Sequence, residues 1–364
     1  MGQDKLSNMD SAKTILDLQK LLGTFSVDQG TYTFNRIDQG FINDTFLVLK
    51  NGHPFYILQR INSEVFTDVP GVMGNITKAL SYLTENDYSL VVLVPTITGQ
   101  SYCEFKNHGY WRLMEYIPNS LAHDSTNNAE IAYGAGKILG KFHSLLQNAP
   151  SAQFVDTIPH FHDLQLRKEQ FQEALRKSSQ ERRDKANSVI SFVLETLPLL
   201  LDFSSSRFPV RICHNDTKLN NILFSQKTNQ ALCFIDLDTI MKGNFYNDFG
   251  DLVRTIANTA KEDEKDHHKI TFDRPLFESF LDGLATSSNF LTTEEVKSLP
   301  LGIVFMPFIH GLRALTDYLN NDKYFKVSYT EQNLDRSLSL FAFSKKALSE
   351  VSYIQEMVDK KLIQ

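Results

Sequence analysis

Cysteine is nearly absent from this 364-residue sequence. Its three cysteines, Cys103, Cys213 and Cys233, form an odd and sparse set, and no C-x-x-C or H-x-x-x-H spacing accompanies them. This scarcity excludes a disulfide framework and argues against a structural zinc site. We therefore expect the protein to work in a reducing compartment, the cytoplasm.

Targeting signals and long apolar runs are also lacking. The segment from Met1 to Asp10 holds no basic stretch followed by an apolar one, which argues against a signal peptide. No apolar run approaches the roughly 18 residues that are needed to span a bilayer. We therefore expect a protein without a membrane partner.

Basic residues are in slight deficit. The chain has 37 Lys and Arg against 43 Asp and Glu, a formal net charge of −6, and this balance argues against a general nucleic-acid binder. Hydrophobic residues make up 42% and charged residues 22%, which is typical of a folded, soluble protein. The length indicates two domains, or one domain with two lobes. A small anionic ligand is compatible with this composition, because local donors or a metal ion can hold it.

Strand-like and helix-like segments are unevenly distributed along the chain. The first third has five or six short β-rich runs, an Asn-Gly hairpin signal and one inserted helix over Val72–Leu83. Later segments mostly have apolar residues at helical spacing, as in Ala129–Leu146. The pattern predicts an α+β fold with a small β-rich N-terminal lobe over residues 1–117 and a larger, mainly helical C-terminal lobe over residues 118–364. Further helices are predicted over 161–175, 186–201, 301–319 and 332–357.

The most informative segment runs from His214 to Asn221 and is followed by Asp236. The spacing places Asp216 and Asn221 on an irregular loop that leads into a strand, and a second strand delivers Asp236 at its end. A carboxylate beside a metal–phosphate site can accept the proton of an attacking hydroxyl group. One Asp as base, followed by an Asn and a later Asp as metal ligands, is the logic of a kinase catalytic loop.

The two strands around residues 227–230 predict a hairpin. A two- or four-residue loop centred there pairs Asn221 with Asp236 and Ile222 with Ile235, whereas a three- or five-residue loop would shift the pairing. In the first case an amide oxygen and a carboxylate meet at the open end of the hairpin. Two hard oxygen ligands side by side suit Mg²⁺.

The string from His214 to Asp251 resembles the aminoglycoside phosphotransferase and choline kinase group, which has a protein-kinase-like fold. More specifically it resembles the N-acetylhexosamine 1-kinases, and so do the stretches Ile42–Thr45, His160–Asp163 and Arg313–Tyr318. That family phosphorylates the anomeric hydroxyl group of N-acetylglucosamine or N-acetylgalactosamine with ATP and Mg²⁺. The resemblance implies a sugar 1-kinase whose N-terminal lobe binds the nucleotide and whose C-terminal lobe binds the sugar and carries catalysis.

The resemblance also implies roles for residues of the C-terminal lobe. Asp216 would be the base and would contact the sugar, and Asp248 would organise the catalytic loop. The implied metal ligands are Asn221 and Asp236. Further sugar-binding candidates are Arg313, Tyr324 and Asp238, the last of which could instead contact the metal or support the site from behind.

Nucleotide binding is expected to involve both lobes. Gln59 stands where kinases usually have a Lys that pairs with the phosphates, and the helix over Val72–Leu83 offers no Glu for the usual ion pair. A Gln can still donate a hydrogen bond, but without charge assistance. Gly40, Asn43 and Thr45 are expected to cover the phosphates. The backbone groups of Glu115 and Ile117 are expected to bind adenine. The apolar residues expected to line the two faces of adenine, or simply to pack the core, are Ile57, Leu223 and Ile235.

Two alternatives to a sugar kinase remain open. The first is a kinase of homoserine, choline, ethanolamine or an aminoglycoside, although Arg313 favours a neutral polyol over a cationic acceptor. The second is a non-catalytic nucleotide-binding module, which Gln59 suggests. The His160-x-His162-Asp163 string could also be a metal site, but it lacks a fourth ligand at useful spacing. We expect a small-molecule sugar as partner and neither nucleic acid nor membrane, and we leave the oligomeric state open.

Overall fold

The computed structural model describes residues 17–37, 42–105 and 108–363 of the chain. The chain divides between Ser120 and Leu121 into an N-terminal unit and a C-terminal unit. Gly40, which is predicted to lie over the phosphates, falls outside the described residues. Each unit is described here by itself.

The N-terminal unit is built on an antiparallel sheet with the strand order β1-β2-β3-β6-β4, and β5 also pairs with β6. Asn51 and Gly52 have φ values of 53° and 84° and form the tight turn between β2 and β3, as the Asn-Gly signal predicts. Strands β1 to β6 are Tyr32–Ile37, Asp44–Lys50, His53–Ile61, Leu93–Val94, Cys103–Glu104 and Tyr110–Glu115.

Side-chain alternation gives this sheet two different faces. Leu58 of β3 lies opposite Leu113 of β6, and both are fully buried in an apolar cluster. Helix α1, Val69–Tyr82, begins where Asp68 accepts a hydrogen bond from the Gly71 N–H, three residues before the predicted helix start. Gln59, one position along β3 from Leu58, therefore belongs to the opposite face of the sheet.

The C-terminal unit is mainly helical, so the predicted α+β class is confirmed. Strand β7 is Ser120–Leu121 at the boundary, and strands β8 to β11 are Arg211–Cys213, Ile222–Ser225, Ala231–Phe234 and Met241–Gly243. Helices α2 to α6 are Ala129–Leu146, Leu164–Lys177, Gln180–Lys185, Asn187–Ser205 and Phe245–Ile256. Helices α7 to α10 are Arg274–Ala285, Thr293–Leu319, Gln332–Ser349 and Val351–Leu362.

Several helices differ from the sequence prediction for local reasons. Helix α8 begins eight residues before the predicted 301, because Thr292 and Glu295 form a reciprocal capping box. The predicted helix over 332–357 is two helices that meet at Glu350. Helix α7 was not predicted, although Asp273 as N-cap followed by a proline in the first turn is a recognisable start signal.

In the part of the chain that the structure describes, two helices are long and apolar enough, by length and composition, to cross a bilayer, which corrects the expectation that no apolar run approaches that length. They are Asn187–Ser205 and Thr293–Leu319. The apolar window of the second helix is 78% buried, as in the core helix of a globular unit. Helix α5 is amphipathic in its burial, with Val193 and Leu200 fully buried and Leu194 half exposed.

Candidate active site

The loop that follows β8 carries the predicted base, Asp216. Its side chain is 24% exposed, and Nζ of Lys218 lies 3.1 Å from Asp216 Oδ2. The amide nitrogen of Asn221 donates to the same Oδ2 at 2.9 Å and to the Asp216 backbone carbonyl at 2.8 Å. Because that nitrogen is committed to Asp216, the Asn221 amide oxygen is the atom left to bind a metal ion.

The β9–β10 hairpin brings Asn221 and Asp236 to the same end, but its register is not the predicted one. Ile222 pairs with Phe234, and the backbone N–H of Ile235 donates to the Asn221 carbonyl at 2.8 Å. The pairing of Asn221 with Asp236 and of Ile222 with Ile235 is therefore wrong by one residue.

The displaced register has its cause in the turn. The backbone N–H of Ser225 donates to the Gln230 carbonyl at 2.8 Å, so the turn occupies residues 226–229 instead of 227–230. The pairing then shifts between Ala231 and Cys233. An earlier turn moves the register by two positions and the bulge returns one of them, which leaves a net displacement of one residue.

Asp236 occupies an unusual backbone position at the end of this hairpin. Its φ of 59° and ψ of 55° lie in the left-handed region, which residues other than glycine seldom adopt. Strain of this kind persists where the surrounding structure imposes it, often at functional sites. Asp236 is exposed, whereas Asp238 two residues later is only 1% exposed. A carboxylate and the Asn221 amide oxygen are hard oxygen donors, so the residues present fit Mg²⁺.

A fully buried carboxylate on α6 holds the loop in place. Asp248 Oδ2 accepts a hydrogen bond from the His214 backbone N–H at 2.8 Å and lies 2.9 Å from His143 Nε2. Its Oδ1 accepts from the Asn215 backbone N–H at 2.7 Å, and the Thr217 hydroxyl donates to its carbonyl at 2.6 Å. These contacts fix the backbone of the loop that carries Asp216, and the role of Asp248 as organiser of a catalytic loop stays a prediction.

Asn215 turns the chain immediately before Asp216. Its φ is 64°, and its side-chain nitrogen donates to the carbonyls of Cys213 and Thr239 at 3.1 Å each. A Cβ atom on Gly243 would lie 2.7 Å from Asn215 Oδ1. The close approach of β11 to the loop therefore requires a glycine there.

Lys218 is the positive charge nearest to the base among the ion pairs of the described residues. Burial would lower its pKa, but the carboxylates of Asp216 and Asp236 outweigh burial and raise it, and Glu262 acts in the same direction. Lys218 therefore stays protonated beside the two carboxylates. The sequence motif contains this lysine, but its spacing alone does not reveal the contact with Asp216.

Charged side chains from α6 and three other segments contact one another, and we call them the polar cluster. On α6, Arg254 Nε lies 2.7 Å from Asp251 Oδ1, and Arg254 Nη1 donates to Glu262 at 2.9 Å. Arg336 Nε of α9 lies 2.8 Å from the second oxygen of Glu262, and His310 Nε2 of α8 lies 3.3 Å from Asp251 Oδ1. The cluster is defined as these five residues, and sequence spacing did not predict it.

The arginines control the charge state of the polar cluster. Burial would raise the pKa of both carboxyl groups, but Arg254 and His310 hold the pKa of Asp251 well below its usual value, and Arg336 and Arg254 lower that of Glu262 to about 2. The charge of Asp216 is among those that raise the pKa of Arg254 against the opposing effect of burial. The polar cluster therefore lies within electrostatic reach of the predicted base.

The two predicted sugar-binding residues lie together at the edge of the polar cluster. Arg313 has Tyr324 as a hydrogen-bond partner, and burial lowers the pKa of Arg313 to about 10. The Arg313 guanidinium lies 5.9 Å from the centre of the Phe325 ring, and Arg336 of the cluster lies 4.8 Å from the same ring. Tyr324 is 65% exposed.

Asp317 positions the segment that carries Tyr324, and sequence reasoning missed it. Its carboxylate accepts hydrogen bonds from the backbone N–H groups of Lys323, Tyr324 and Phe325 at 2.8–2.9 Å and from Asn333 Nδ2 at 3.0 Å. It is 5% exposed. The available signal was its place in the Arg313–Tyr318 string, which contains both the arginine and this aspartate.

Comparison with known proteins identifies the family of this chain. Residues 33–276, which include Asp216, Asn221, Asp236 and Asp248, match the APH family, described as the phosphotransferase enzyme family. The chain belongs to the phosphotransferase enzyme family.

Solved structures share the fold of this phosphotransferase. A microcompartment-associated aminopropanol kinase is 17% identical, with a TM-score of 0.62 over 94% of this chain and 98% of that one. An amicoumacin kinase in complex with AMP-PNP and Ca²⁺ is 16% identical, with a TM-score of 0.60 over 96% of each chain. A choline/ethanolamine kinase family protein from Mesorhizobium loti is 13% identical, with a TM-score of 0.58 over 97% of this chain and 99% of that one. The predicted kinase-like fold is therefore confirmed.

Gln59 of the phosphotransferase is held by a buried arginine on the neighbouring strand. Arg112 lies directly opposite Gln59, and its Nε and Nη2 donate to Gln59 Oε1 at 3.0 and 2.5 Å. Gln59 Nε2 donates to the Thr45 hydroxyl at 3.0 Å, and Arg112 is 2% exposed. The glutamine therefore lies next to the positive charge of Arg112. The sequence did not predict this charge, because the usual kinase lysine is expected on β3 and Arg112 lies on β6.

This pair predicts that restoring the usual kinase lysine is harmful. Gln59→Lys removes the acceptor of two Arg112 hydrogen bonds and places an ammonium group against a buried guanidinium. We expect the free energy of unfolding to fall by about 2 kcal/mol, measured by urea denaturation. Gln59→Glu is the matched control, because it keeps both acceptor contacts and should retain stability. A lysine variant as stable as the wild type would contradict the pairing.

The other predicted nucleotide-binding residues have partners within their own units. Asn43 Oδ1 accepts from the Asn62 backbone N–H at 3.0 Å. The Glu115 N–H donates to the Val92 carbonyl at 3.0 Å, and the Ile117 carbonyl accepts a hydrogen bond from the Ser120 hydroxyl group at 2.6 Å. The Glu115 N–H is thus already used within the N-terminal unit, and adenine binding by this segment stays a prediction. Ile57, Leu223 and Ile235 are each half-buried.

Proposed function

We propose that this phosphotransferase transfers the γ-phosphoryl group of ATP to the anomeric hydroxyl group of N-acetylglucosamine or N-acetylgalactosamine. The products are the sugar 1-phosphate and ADP. Mg²⁺ is the proposed metal cofactor, the N-terminal unit the proposed nucleotide-binding unit, and the cytoplasm the proposed compartment. The observation that supports this acceptor is the charge of the residues next to the catalytic loop.

Arg167 lies within electrostatic reach of Arg313 and Tyr324. We call the polar cluster together with these three residues the acceptor region, and arginine dominates it. Both of its carboxylates already pair with arginine, so they offer little negative charge to a cationic acceptor. Choline, ethanolamine and aminoglycosides are cationic and would be repelled, whereas the hydroxyl oxygens of a neutral sugar accept hydrogen bonds from guanidinium groups. The charges are Arg167, Arg254, Arg313 and Arg336 against Asp251 and Glu262.

In the proposed reaction the residues of the catalytic loop have separate tasks. The Asp216 carboxylate accepts the proton of the anomeric hydroxyl group, and that oxygen attacks the γ-phosphorus while the bond to the ADP oxygen breaks. Asn221 and Asp236 would hold Mg²⁺, which neutralises charge on the phosphates. Asn221 also fixes the carboxylate by its hydrogen bond at 2.9 Å, and Lys218 contributes a positive charge beside it.

A kinase of an amino alcohol is the second candidate. It is favoured by the aminopropanol kinase and the choline/ethanolamine kinase family protein among the similar structures. The excess of arginine in the acceptor region weighs against it, and also against aminoglycoside acceptors, which present ammonium groups. Homoserine also presents a carboxylate with which arginine can pair, so a panel of acceptors must distinguish it. A non-catalytic nucleotide-binding module is disfavoured, because nucleotide binding alone does not require Asn221 to fix the Asp216 carboxylate.

A panel of acceptors tests the proposal. With ATP and Mg²⁺ we expect phosphorylation of N-acetylglucosamine or N-acetylgalactosamine and none of choline, ethanolamine, homoserine or an aminoglycoside, measured as ADP release. Phosphorus NMR identifies the product, because a 1-phosphate couples to the anomeric proton. Methyl N-acetylglucosaminide is the matched control, since its anomeric oxygen is blocked. Phosphorylation of this glycoside, or faster turnover of a cationic acceptor than of the sugars, contradicts the proposal.

A further inference from the structure

The His160-x-His162-Asp163 string separates into two parts in the structure. His160, whose side chain is 65% exposed, has its Nδ1 at 2.8 Å from Asp163 Oδ2. Asp163 in turn caps α3, because its Oδ1 accepts from the Leu166 backbone N–H at 3.0 Å. The two outer residues of the string therefore stabilise a helix start, which removes them from any metal site and leaves His162 without an assigned task.

His162 has both ring nitrogens shielded from solvent. Within the described residues neither Nδ1 nor Nε2 has a hydrogen-bond partner. Its ring lies 4.5 Å from that of Phe161 and 6.3 Å from that of His310, measured between centroids. Polar atoms that are withdrawn from water without a partner are rare and destabilising in folded proteins, so this pair marks a position for a bound water molecule or ligand.

Contacts connect His162 to the catalytic loop. His310, its aromatic neighbour, lies 3.3 Å from Asp251, and Asp251 pairs with Arg254. The charge of Asp216 acts on Arg254. His162 therefore lies beside His310 of the polar cluster and within electrostatic reach of Arg313, two residues of the acceptor region.

The ring of His162 is neutral at pH 7. Burial lowers its pKa to about 3, and the neighbouring His310, Arg313 and Arg167 act in the same direction while Asp251 opposes them. A neutral imidazole offers one N–H donor and one acceptor nitrogen. Water, hydroxyl groups and amide groups can each donate to one of these atoms and accept from the other.

A metal ion is a poorer occupant of this position. In the described part of the chain, the trio of potential ligands that converges within 4.8 Å is His143, Cys213 and Asp248 beside the catalytic loop. His162 belongs to no such convergent trio. Without two further ligands at that distance, it cannot complete a tetrahedral site.

We propose that His162 binds the acceptor sugar directly. One ring nitrogen accepts a hydrogen bond from a sugar hydroxyl group, and the other donates to a sugar oxygen. The sugar as acceptor is taken from the proposed function. The inference adds His162 to that function as a specificity-determining residue. The headgroup of choline has no N–H group and would leave the acceptor nitrogen unpaired, so His162 selects for polyhydroxyl acceptors.

The test uses His162→Phe, which keeps a ring and removes both nitrogens. We expect the KM for N-acetylglucosamine to rise roughly tenfold or more, because two hydrogen bonds are lost. The KM for ATP should stay within about twofold. The unliganded variant should unfold at the wild-type temperature or above it, since the unpaired polar atoms are gone. If His162 had only a structural role, His162→Phe would have a lower Tm and an unchanged KM for the sugar.

Three further measurements make the test specific. His162→Asn retains one donor and one acceptor, so it should recover part of the sugar affinity and serves if the Phe variant fails to fold. His160→Gln is the matched control from the same string and should leave the sugar KM unchanged. In a series of deoxy sugars, the analogue that lacks the contacted hydroxyl group should weaken binding to the wild type but not to His162→Phe.

The outcomes separate the two proposals. If the wild type turns over no N-acetylhexosamine, the proposed function is overturned. If the wild type turns the sugar over and both His162 variants keep its KM, the His162 contact alone is overturned and the proposed function stands.

Discussion

Replacement of Asp216 by Asn is expected to lower kcat for sugar phosphorylation by about 10²- to 10⁴-fold, the usual contribution of a general base. The asparagine has nearly the same shape, and its amide oxygen can still accept the hydrogen bond that Asn221 donates at 2.9 Å. The loop therefore keeps its geometry, but residue 216 can no longer take up the proton of the sugar hydroxyl group. Nucleotide affinity should change little, because Asn221 and Asp236 remain.

The measurement pairs steady-state turnover with nucleotide binding by calorimetry. Asp202→Asn is the control, because it makes the same chemical change at an exposed position on α5. A variant that keeps full activity would show that Asp216 is not the base. A variant that loses nucleotide binding together with turnover would instead assign Asp216 to the metal or the phosphates.

The residues of the candidate active site could be grouped from the sequence because a short stretch of chain contains them. Asp216 and Asn221 lie on one loop, and Asp236 follows across one hairpin, so their proximity depends on local geometry. Even here the prediction reached its limit in the hairpin register. Turns at neighbouring positions have similar energies, with or without a bulge after them. The residue pattern therefore does not show which of these turns forms.

The division into a β-rich and a helical unit could likewise be predicted from side-chain periodicity. Helix α6 escaped this approach although it carries the organiser of the loop. Its polar residues Asp248, Asp251 and Arg254 are buried, although the sequence pattern of an amphipathic helix would place them in solvent. The polar side of this helix belongs to a site, and the pattern alone does not reveal that.

Contacts between distant segments explain what else was missed. Gln59 and Arg112 are 53 positions apart and become neighbours only through the β3–β6 register. The polar cluster draws on three helices and the segment that carries Glu262. Such contacts leave no characteristic spacing in the sequence, where each of these residues resembles an ordinary polar side chain.

Asp248→Asn should have the largest effect on stability. In the wild type, Oδ1 accepts the Asn215 N–H and Oδ2 accepts the His214 N–H while lying 2.9 Å from His143 Nε2. An asparagine has one acceptor oxygen, so its NH₂ group must face a buried donor. Because these bonds are made to a buried charge, we expect the free energy of unfolding to fall by about 4 kcal/mol, measured by urea denaturation, with a lower kcat.

The two sides of Asp248 should contribute unequally to that loss. The imidazole of His143 can change tautomer and accept from an NH₂ group, whereas the backbone N–H groups of His214 and Asn215 can only donate. His143→Gln, which offers a side-chain amide donor in place of Nε2, should therefore cost less than about 1 kcal/mol. Equal losses in the two variants would place the stabilisation in the His143 contact instead of the backbone bonds. The unequal result would mean that Asp248 stabilises the fold chiefly by holding the catalytic loop, so that one buried carboxylate links the stability of the C-terminal unit to the position of Asp216.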